Sequence, residues 1–391
     1  MINFEYYNPA KIIFGKGVIS NVGEEITKQG AKNILLVYGG GSIKKNGVYD
    51  NVTKSLKDSN IYYTELSGVK PNPVLSKVME GKEICKTKNI DFILAVGGGS
   101  VIDTAKAIGV ATLNDGDVWD FYMGIRSTIP YCLPIGVVLT IPAAGSETSY
   151  ASIITNENGN YKRGIHDNII IPKFAVIDPE TSYSLSMYQM ACGASDILAH
   201  LMERYFTLIP NVELTDRMIE AACTTIINNT LKAIRNPLDY DTRAEIMLTG
   251  TFAHNNSLDC GRIGDWGSHN IEHELSATYD IAHGAGLSII FPAWIRYVWH
   301  TSPSKFIQFA KNVFGVDAYP DDQELIIAQL LERLESWYKQ IGMPTRLSHV
   351  NIDNSKFKEM AHRALDGRSD GFGQFYRLHE EDIIAIYKLA Q

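Results

Sequence analysis

The stretch FILAVGGGSVIDTAKAIGVAT, residues 92–112, decides the fold. Phe92–Val96 is a short, unbroken apolar run, the pattern of a strand buried on both faces rather than one with a wet side. Gly97-Gly98-Gly99-Ser100 follows at once and leads into Val101–Thr112, whose spacing is helical. Strand, glycine turn and helix in that order make the unit from which parallel sheets are built. Outward from it, Ile34–Tyr38 (ILLVY), Ile61–Glu65 (IYYTE), Gly136–Ile141 (GVVLTI) and the shorter Ala175–Ile177 read as further strands, with amphipathic helical segments at 45–58 and 75–88. The first part is therefore predicted to be a doubly wound, Rossmann-like α/β domain on a parallel sheet.

After Asp178-Pro179-Glu180 the texture changes. Helical patterns take over at 188–208, 214–234, 241–258 and 324–340, the last (ELIIAQLLERLESWYKQ) stopping at Ile341-Gly342-Met343-Pro344. The boundary is expected near residue 183, giving an α/β domain over 1–183 and an all-helical domain over 184–391.

Composition narrows the function classes. The 391 residues carry a formal charge of −8, which argues against a basic nucleic-acid or anionic-membrane surface. No apolar run reaches the roughly 20 residues of a membrane span. Met1-Ile2-Asn3-Phe4-Glu5 has neither a basic nor an apolar signal region, so no secretory signal is expected. Five scattered cysteines without a CxxC pair suit free thiols in the cytoplasm.

The glycines at Gly97, Gly98 and Gly99, with Ser100, let the main chain approach a pyrophosphate, and the helix that follows offers free N–H groups and the positive end of its dipole. Asp103 falls in the first helical turn. The motif is not GxGxxG, so it does not name a dinucleotide, and a plain tight turn is the alternative. A second cluster, Gly39-Gly40-Gly41-Ser42, follows the strand ending at Tyr38. The acid that commonly bonds an adenosine ribose at such a strand end is missing, and Lys44 and Lys45 come next. That favours NADP(H) over NAD(H), the alternative being two solvated lysines on a turn.

Histidines concentrate late in the chain, at His254, His269, His273 and His283. Asp196 and His200 share a helical face within GASDILAHLMERYF, and His269 and His273 repeat the spacing in SHNIEHELSA. His283 stands beside Gly284 and Gly286. Asp196, His200, His269 and His283 together offer one carboxylate and three imidazoles, a set suited to Fe2+ or Zn2+ with Lewis acidity retained. A rival reading takes His269-Asn270-Ile271-Glu272-His273 as the H-x-x-E-H pattern of a metallopeptidase. It leaves Asp196, His200, His283 and both glycine turns unused. A structural metal site is a further alternative, disfavoured because structural zinc usually takes cysteines.

With these motifs in place, the chain resembles the iron-dependent (group III) alcohol dehydrogenases, most closely their NADPH-dependent butanol dehydrogenase branch. The resemblance runs through FEYYNPAKIIFGKG at 4–17, YGGGSIKKNGVYD at 38–50, GVKPNP at 68–73, GGGSVIDTAKAI at 97–108, GSE at 145–147, KFAVIDP at 173–179, GASDILAHLMER at 193–204 and HNIEHELSATYDIAHGAGLSII at 269–290. It implies a dehydroquinate-synthase-like architecture and metal ligation by Asp196, His200, His269 and His283. It places His273 beside nicotinamide and substrate as an aid to proton transfer or positioning, and leaves Glu272 without a role. It implies pyrophosphate contacts from Gly97, Gly98 and Ser100, support from Asp103, a coenzyme lining of Asn72, Thr140, Ser149 and Lys162, and a 2′-phosphate at Gly39, Gly40 and Ser42. The expected activity is NADP(H)-linked interconversion of alcohols and short-to-medium-chain aldehydes such as butanal, by a homodimer or larger homo-oligomer. A glycerol-dehydrogenase-like polyol dehydrogenase is the runner-up. The chain departs from the family's usual pattern at Leu139–Ser149 (LTIPAAGSETS) and over 366–375 (DGRSDGFGQF).

Overall fold

The computed structural model of the protein describes residues 1–317 and 322–391. Backbone contacts divide the chain into two units: Tyr7–Leu185 with Leu238–Asn255, and Met1–Tyr6 with Ser186–Pro237 and Asn256–Gln391. This division departs from a single break near 183 at two places. The helix Tyr240–Ala253 clusters with the sheet unit, where Met247 joins the core, and the first six residues cluster with the helical unit. Nothing in the amphipathic pattern of a helix names the surface it covers, which is why 241–258 reads as one more member of the helical run.

The sheet unit is built on six parallel strands in the order β1-β8-β5-β4-β2-β3. They are β1 Lys11–Phe14, β2 Asn33–Tyr38, β3 Tyr62–Leu66, β4 Phe92–Gly97, β5 Ile135–Leu139 and β8 Phe174–Ile177. Strand alternation sends Leu35, Val37, Ile93, Ala95, Val137 and Ala175 into one core and Ile34, Leu36, Phe92, Leu94, Val138 and Val176 into the other. Each fully buried aliphatic side chain contributes roughly 1.5–3 kcal/mol. Two faces buried at once explain the unbroken apolar runs in the sequence. Beside the sheet stands an antiparallel hairpin, β6 Ala151–Asn156 and β7 Tyr161–His166. Its polar strands hide it from a hydrophobicity reading, as the brevity of β1 hides that strand.

Chain order within the sheet fixes where a ligand belongs. From β2 the chain first moves to the edge at β3, then crosses back to place β4 on the other side of β2. The sheet therefore changes direction between β2 and β4. In open α/β sheets the carboxyl ends of the two strands at such a switch point line the binding crevice. The two glycine turns, after Tyr38 and from Gly97, follow those two strands.

In the helical unit, Met187–Tyr205 is buried almost throughout from Met190 to Tyr205, and a capping box between Ser186 and Gln189 secures its start. Gly267–Tyr279 and His283–Val298 are the other two helices that carry proposed metal ligands. Among the described residues no helix is long and apolar enough to cross a membrane.

Candidate metal centre and nucleotide site

The metal constellation starts with Asp196 and His200, one turn apart on a buried helix. Oδ1 of Asp196 lies 3.4 Å from Nδ1 of His200, 3.7 Å from Nε2 of His283 and 4.0 Å from Nε2 of His269. Donor atoms of Asp196, His200 and His269 all fall within 4.8 Å of one another. Ligands at about 2.1 Å from a tetrahedral ion stand about 3.4 Å apart, so the set is close to the spacing that coordination needs. Nε2 of His269 is buried without a hydrogen-bond partner among the described residues. A buried imidazole nitrogen left so is costly unless a ligand fills the place. The donor set therefore fits a divalent cation.

Glycines bring the third helix in. A Cβ on Gly284 would stand 2.0 Å from the carbonyl oxygen of Cys192, and Ser195 Oγ donates to the Gly284 carbonyl at 2.6 Å. Only a bare backbone lets the start of His283–Val298 sit this close to Met187–Tyr205, which places His283 beside Asp196.

Two carboxylates stand behind the histidines: Glu203, which no motif in the sequence singles out, and Glu272, which the sequence offers only as the acid of the H-x-x-E-H pattern. Glu203, 1% exposed, lies on the same helix as Asp196 and His200. Its Oε1 is 2.7 Å from Nδ1 of His269 and also accepts from Ser268 Oγ at 2.5 Å and the His269 amide at 3.1 Å. Its Oε2 accepts from the Trp266 amide at 2.5 Å. Glu272, fully buried, is in short contact with Nδ1 of His283 and accepts from Ser276 Oγ at 2.5 Å. Both histidines thus have Nδ1 on a carboxylate and Nε2 towards Asp196, the arrangement by which outer carboxylates fix imidazole tautomer and aim at metal sites. The H-x-x-E-H reading needs Glu272 free to act on a water, and its carboxylate is committed to His283 and Ser276. The spacing held a signal for Glu203, which follows His200 by three residues on the same helical face. Glu272 precedes Ser276 by four in the same way.

His273 is half-buried, with its ring centre 5.4 Å from that of His283. His254 lies in the sheet unit, where its Cβ packs against Gly145. Trp266 takes a left-handed backbone (φ 62°), rare for a bulky residue. Its ring stands edge-on to His200 and His269, with the Arg204 guanidinium 4.8 Å from its centre. The divergent segment near 366–375 has a place here too. The amides of Gln374 and Phe375 donate to Asp265 Oδ1 at 2.7 and 2.6 Å, and Gly267 donates to Oδ2 at 3.0 Å. That segment anchors Asp265, which leads through Trp266 into the helix Gly267–Tyr279 that carries His269. Burial, and then the neighbouring charge of Glu203, push the Asp265 carboxyl above its ordinary range.

The nucleotide constellation lies wholly in the sheet unit. Gly97 is the last residue of β4 and the helix begins already at Gly99, two residues before the sequence pattern suggests. The glycines answer to crowding: a Cβ on Gly97 would meet Val101 at 2.5 Å, on Gly98 Ile141 at 2.9 Å, and on Gly99 Ala144 at 3.2 Å. Ala144 is thus the divergent 139–149 segment's own contact with the turn. Thr140 donates its amide to the Gly97 carbonyl at 3.0 Å, and buried Lys162 donates to Asn72 Oδ1 at 3.1 Å.

Asp103 turns inward. It accepts from Ser146 Oγ at 2.6 Å and from the Ile153 amide at 3.0 Å, tying the glycine helix to the 146–153 segment. Beside it the fully buried Lys106 donates to the carbonyls of Ser146, Ser149 and Ala151 at 2.7, 2.9 and 2.8 Å. Burial pushes Lys106 down to about 8, against the pull of Asp103 and Glu147. Ser149 is therefore placed by a lysine that the sequence reading passed over.

At the other turn, Gly41 has φ 101° and caps the short helix Ser42–Lys45. A Cβ at Gly40 or Gly41 would meet nothing within 4 Å, so the turn is open. No acid stands at the end of β2 itself, but of the two lysines on the turn Lys44 is not simply solvated. Glu65, on the neighbouring β3, lies 3.4 Å from Lys44.

Comparison with known proteins agrees with these observations. The model of the iron-containing alcohol dehydrogenase family matches residues 9–179, and that of the Fe-containing alcohol dehydrogenase family, C-terminal, matches 190–391. A probable NADH-dependent butanol dehydrogenase 2 of Bacillus subtilis is 41% identical over 389 residues, 99% of each chain. The NADPH-dependent aldehyde reductase YqhD of Escherichia coli is 32% identical and covered in full by the match, as is this chain. The crystal structure of an NADH-dependent butanol dehydrogenase A from Thermotoga maritima superposes with a TM-score of 0.95 at 41% identity, covering 99% of this chain and 98% of that one.

Proposed function

This chain belongs to the iron-containing alcohol dehydrogenase family and is an alcohol dehydrogenase, and from that premise we propose that it interconverts short-to-medium-chain aldehydes, butanal among them, with their alcohols at a metal held by Asp196, His200, His269 and His283. The observation that carries the reading is the convergence of the Nε2 atoms of His269 and His283 on Oδ1 of Asp196, each with its Nδ1 on a buried carboxylate. When bound, the divalent ion supplies Lewis acidity to a carbonyl, and a nicotinamide supplies or accepts the hydride. The protein's part is to hold the imidazoles in one tautomer through Glu203 and Glu272, and to place His273 beside His283, where it assists proton movement. Pyrophosphate binding falls to the Gly97–Ser100 turn, shaped by Asp103 and Lys106.

The open Gly39–Ser42 turn supports NADP(H) as coenzyme. A second reading, NAD(H), is favoured by the Glu65 carboxylate at Lys44. A cytoplasmic homodimer or larger assembly belongs to the same proposal, supported by the family resemblance and by five dispersed free thiols. The test is elemental analysis of anaerobically purified protein together with a screen of NADPH and NADH oxidation over straight-chain aldehydes of two to eight carbons. Bound iron or zinc with aldehyde-dependent oxidation of either coenzyme supports the reading. Metal without any aldehyde or alcohol turnover contradicts it.

A further inference from the structure

We propose that Glu65 sets the coenzyme preference of this chain, by holding Lys44 back from a 2′-phosphate at the Gly39–Ser42 turn. The inference rests on the reading that the chain binds a nicotinamide dinucleotide there. β2 and β3 are parallel neighbours with Leu36 opposite Glu65, so Glu65 stands at the carboxyl end of the sheet beside the turn that follows Tyr38. Its Oε2 accepts from the Tyr38 hydroxyl and its Oε1 from the Tyr49 hydroxyl, both at 2.5 Å. The Lys44 ammonium lies 3.4 Å from Oε2 and over both phenol rings, 5.1 Å from the centre of Tyr38 and 4.5 Å from that of Tyr49. All three partners come from the segment that contains the open glycine turn.

The cage acts through charge. Two phenols fix the carboxylate in place, so it does not swing away into solvent. Partial burial opposes its ionisation, but the hydrogen bonds from Tyr38 and Tyr49 and the charge of Lys44 outweigh this and keep its pKa below the ordinary carboxylate value. Glu65 therefore remains an anion at neutral pH. A coenzyme with a 2′-hydroxyl brings no charge to the turn, whereas a 2′-phosphate brings nearly two negative charges. The phosphate must draw Lys44 out of the cage and then sit near an anion. An acid at the strand end itself is the usual device for this discrimination. Here the same charge comes from the next strand, 26 positions beyond Gly39. With Lys45 exposed on the same turn and no acid at Gly39, discrimination is weakened rather than complete, and both coenzymes are accepted.

Dissociation constants of NADPH and NADH, measured by the fluorescence of the reduced nicotinamide on the whole chain, test this independently of turnover. The wild type is expected to bind the two within about tenfold of each other. Glu65→Gln, which keeps one oxygen to accept from a phenol and turns an N–H towards the other, should shift the ratio about tenfold towards NADPH, less in high salt. Lys44→Gln, a change on an exposed side chain, should shift it the other way, and in that background Glu65→Gln should have a smaller effect. If Glu65→Gln changes both constants by the same factor, or leaves the ratio unmoved while Lys44→Gln does likewise, Glu65 only holds the turn and the proposal fails. Absence of binding by either dinucleotide in the wild type overturns the nicotinamide reading, and this inference with it.

Discussion

Oε1 of Glu203 stands 2.7 Å from Nδ1 of His269. The contact joins two helices, Met187–Tyr205 and Gly267–Tyr279, and makes one carboxylate the acceptor for the imidazole and for three groups around it. With Nδ1–H donated to Glu203, the Nε2 lone pair is left for a metal. Glu203→Gln should therefore weaken metal affinity by about 10–100-fold, the usual effect of removing such a partner, and Glu203→Ala by more. Competition against a chromophoric chelator measures this, and unchanged affinity in both variants would show that Glu203 does not position His269.

Gly286 gives a second test of the same arrangement from the other side. A Cβ there would lie 2.3 Å from Oε1 of Glu272, the carboxylate that touches His283. Gly286→Ala is expected to cost about 1–3 kcal/mol of stability through overpacking, and also to reduce the gain in melting temperature that added metal produces. Thermal melts with and without Fe2+ or Zn2+ separate the two effects. A destabilised variant with the full metal-induced gain would mean that Glu272 can move without disturbing His283.

Lys106 predicts a pH dependence. Its folded pKa, about 8, lies below the ordinary lysine value of 10.5, so between these values the unfolded chain binds more protons than the folded one. Stability must then rise with pH across that window, and the burial cost of the charged form is felt in full below about 8. Lys106→Met removes this contribution while leaving three carbonyls without their donor. Denaturant unfolding from pH 7.5 to 10 should show the wild type gaining stability relative to Lys106→Met as pH rises, although the variant is the less stable protein near neutrality. A difference that stays constant or shrinks with pH would contradict the assignment.

The sequence was most legible where one element carried the whole signal. Asp196 and His200 share a helical turn, and the unbroken apolar run of Phe92–Val96 reports burial on both faces of the sheet, so each could be read locally. What escaped was long-range. Helical spacing relates Glu203 to His200 and Glu272 to Ser276, but only the fold puts the nitrogens of His269 and His283 against their carboxylates. Glu65 shows nothing of its partners Tyr38 and Lys44 until β2 and β3 pair. The helix Tyr240–Ala253 has a pattern like its neighbours' and joins the sheet unit because of what it covers. At Gly97–Gly99 the glycines were legible but their reason was not, because Val101, Ile141 and Ala144, rather than an unusual φ, exclude side chains there.

Aldehyde and alcohol turnover should depend on a metal held by Asp196, His200, His269 and His283. The most direct measurement is reduction of butanal by NADPH or NADH, with the protein stripped by chelation, then reloaded with Fe2+ or Zn2+, and compared with His269→Ala treated in the same way. The expected result is loss of activity on stripping, recovery on reloading, and no recovery in His269→Ala although it still binds reduced coenzyme. Full activity in the stripped wild type, or in the metal-free variant, would contradict the account.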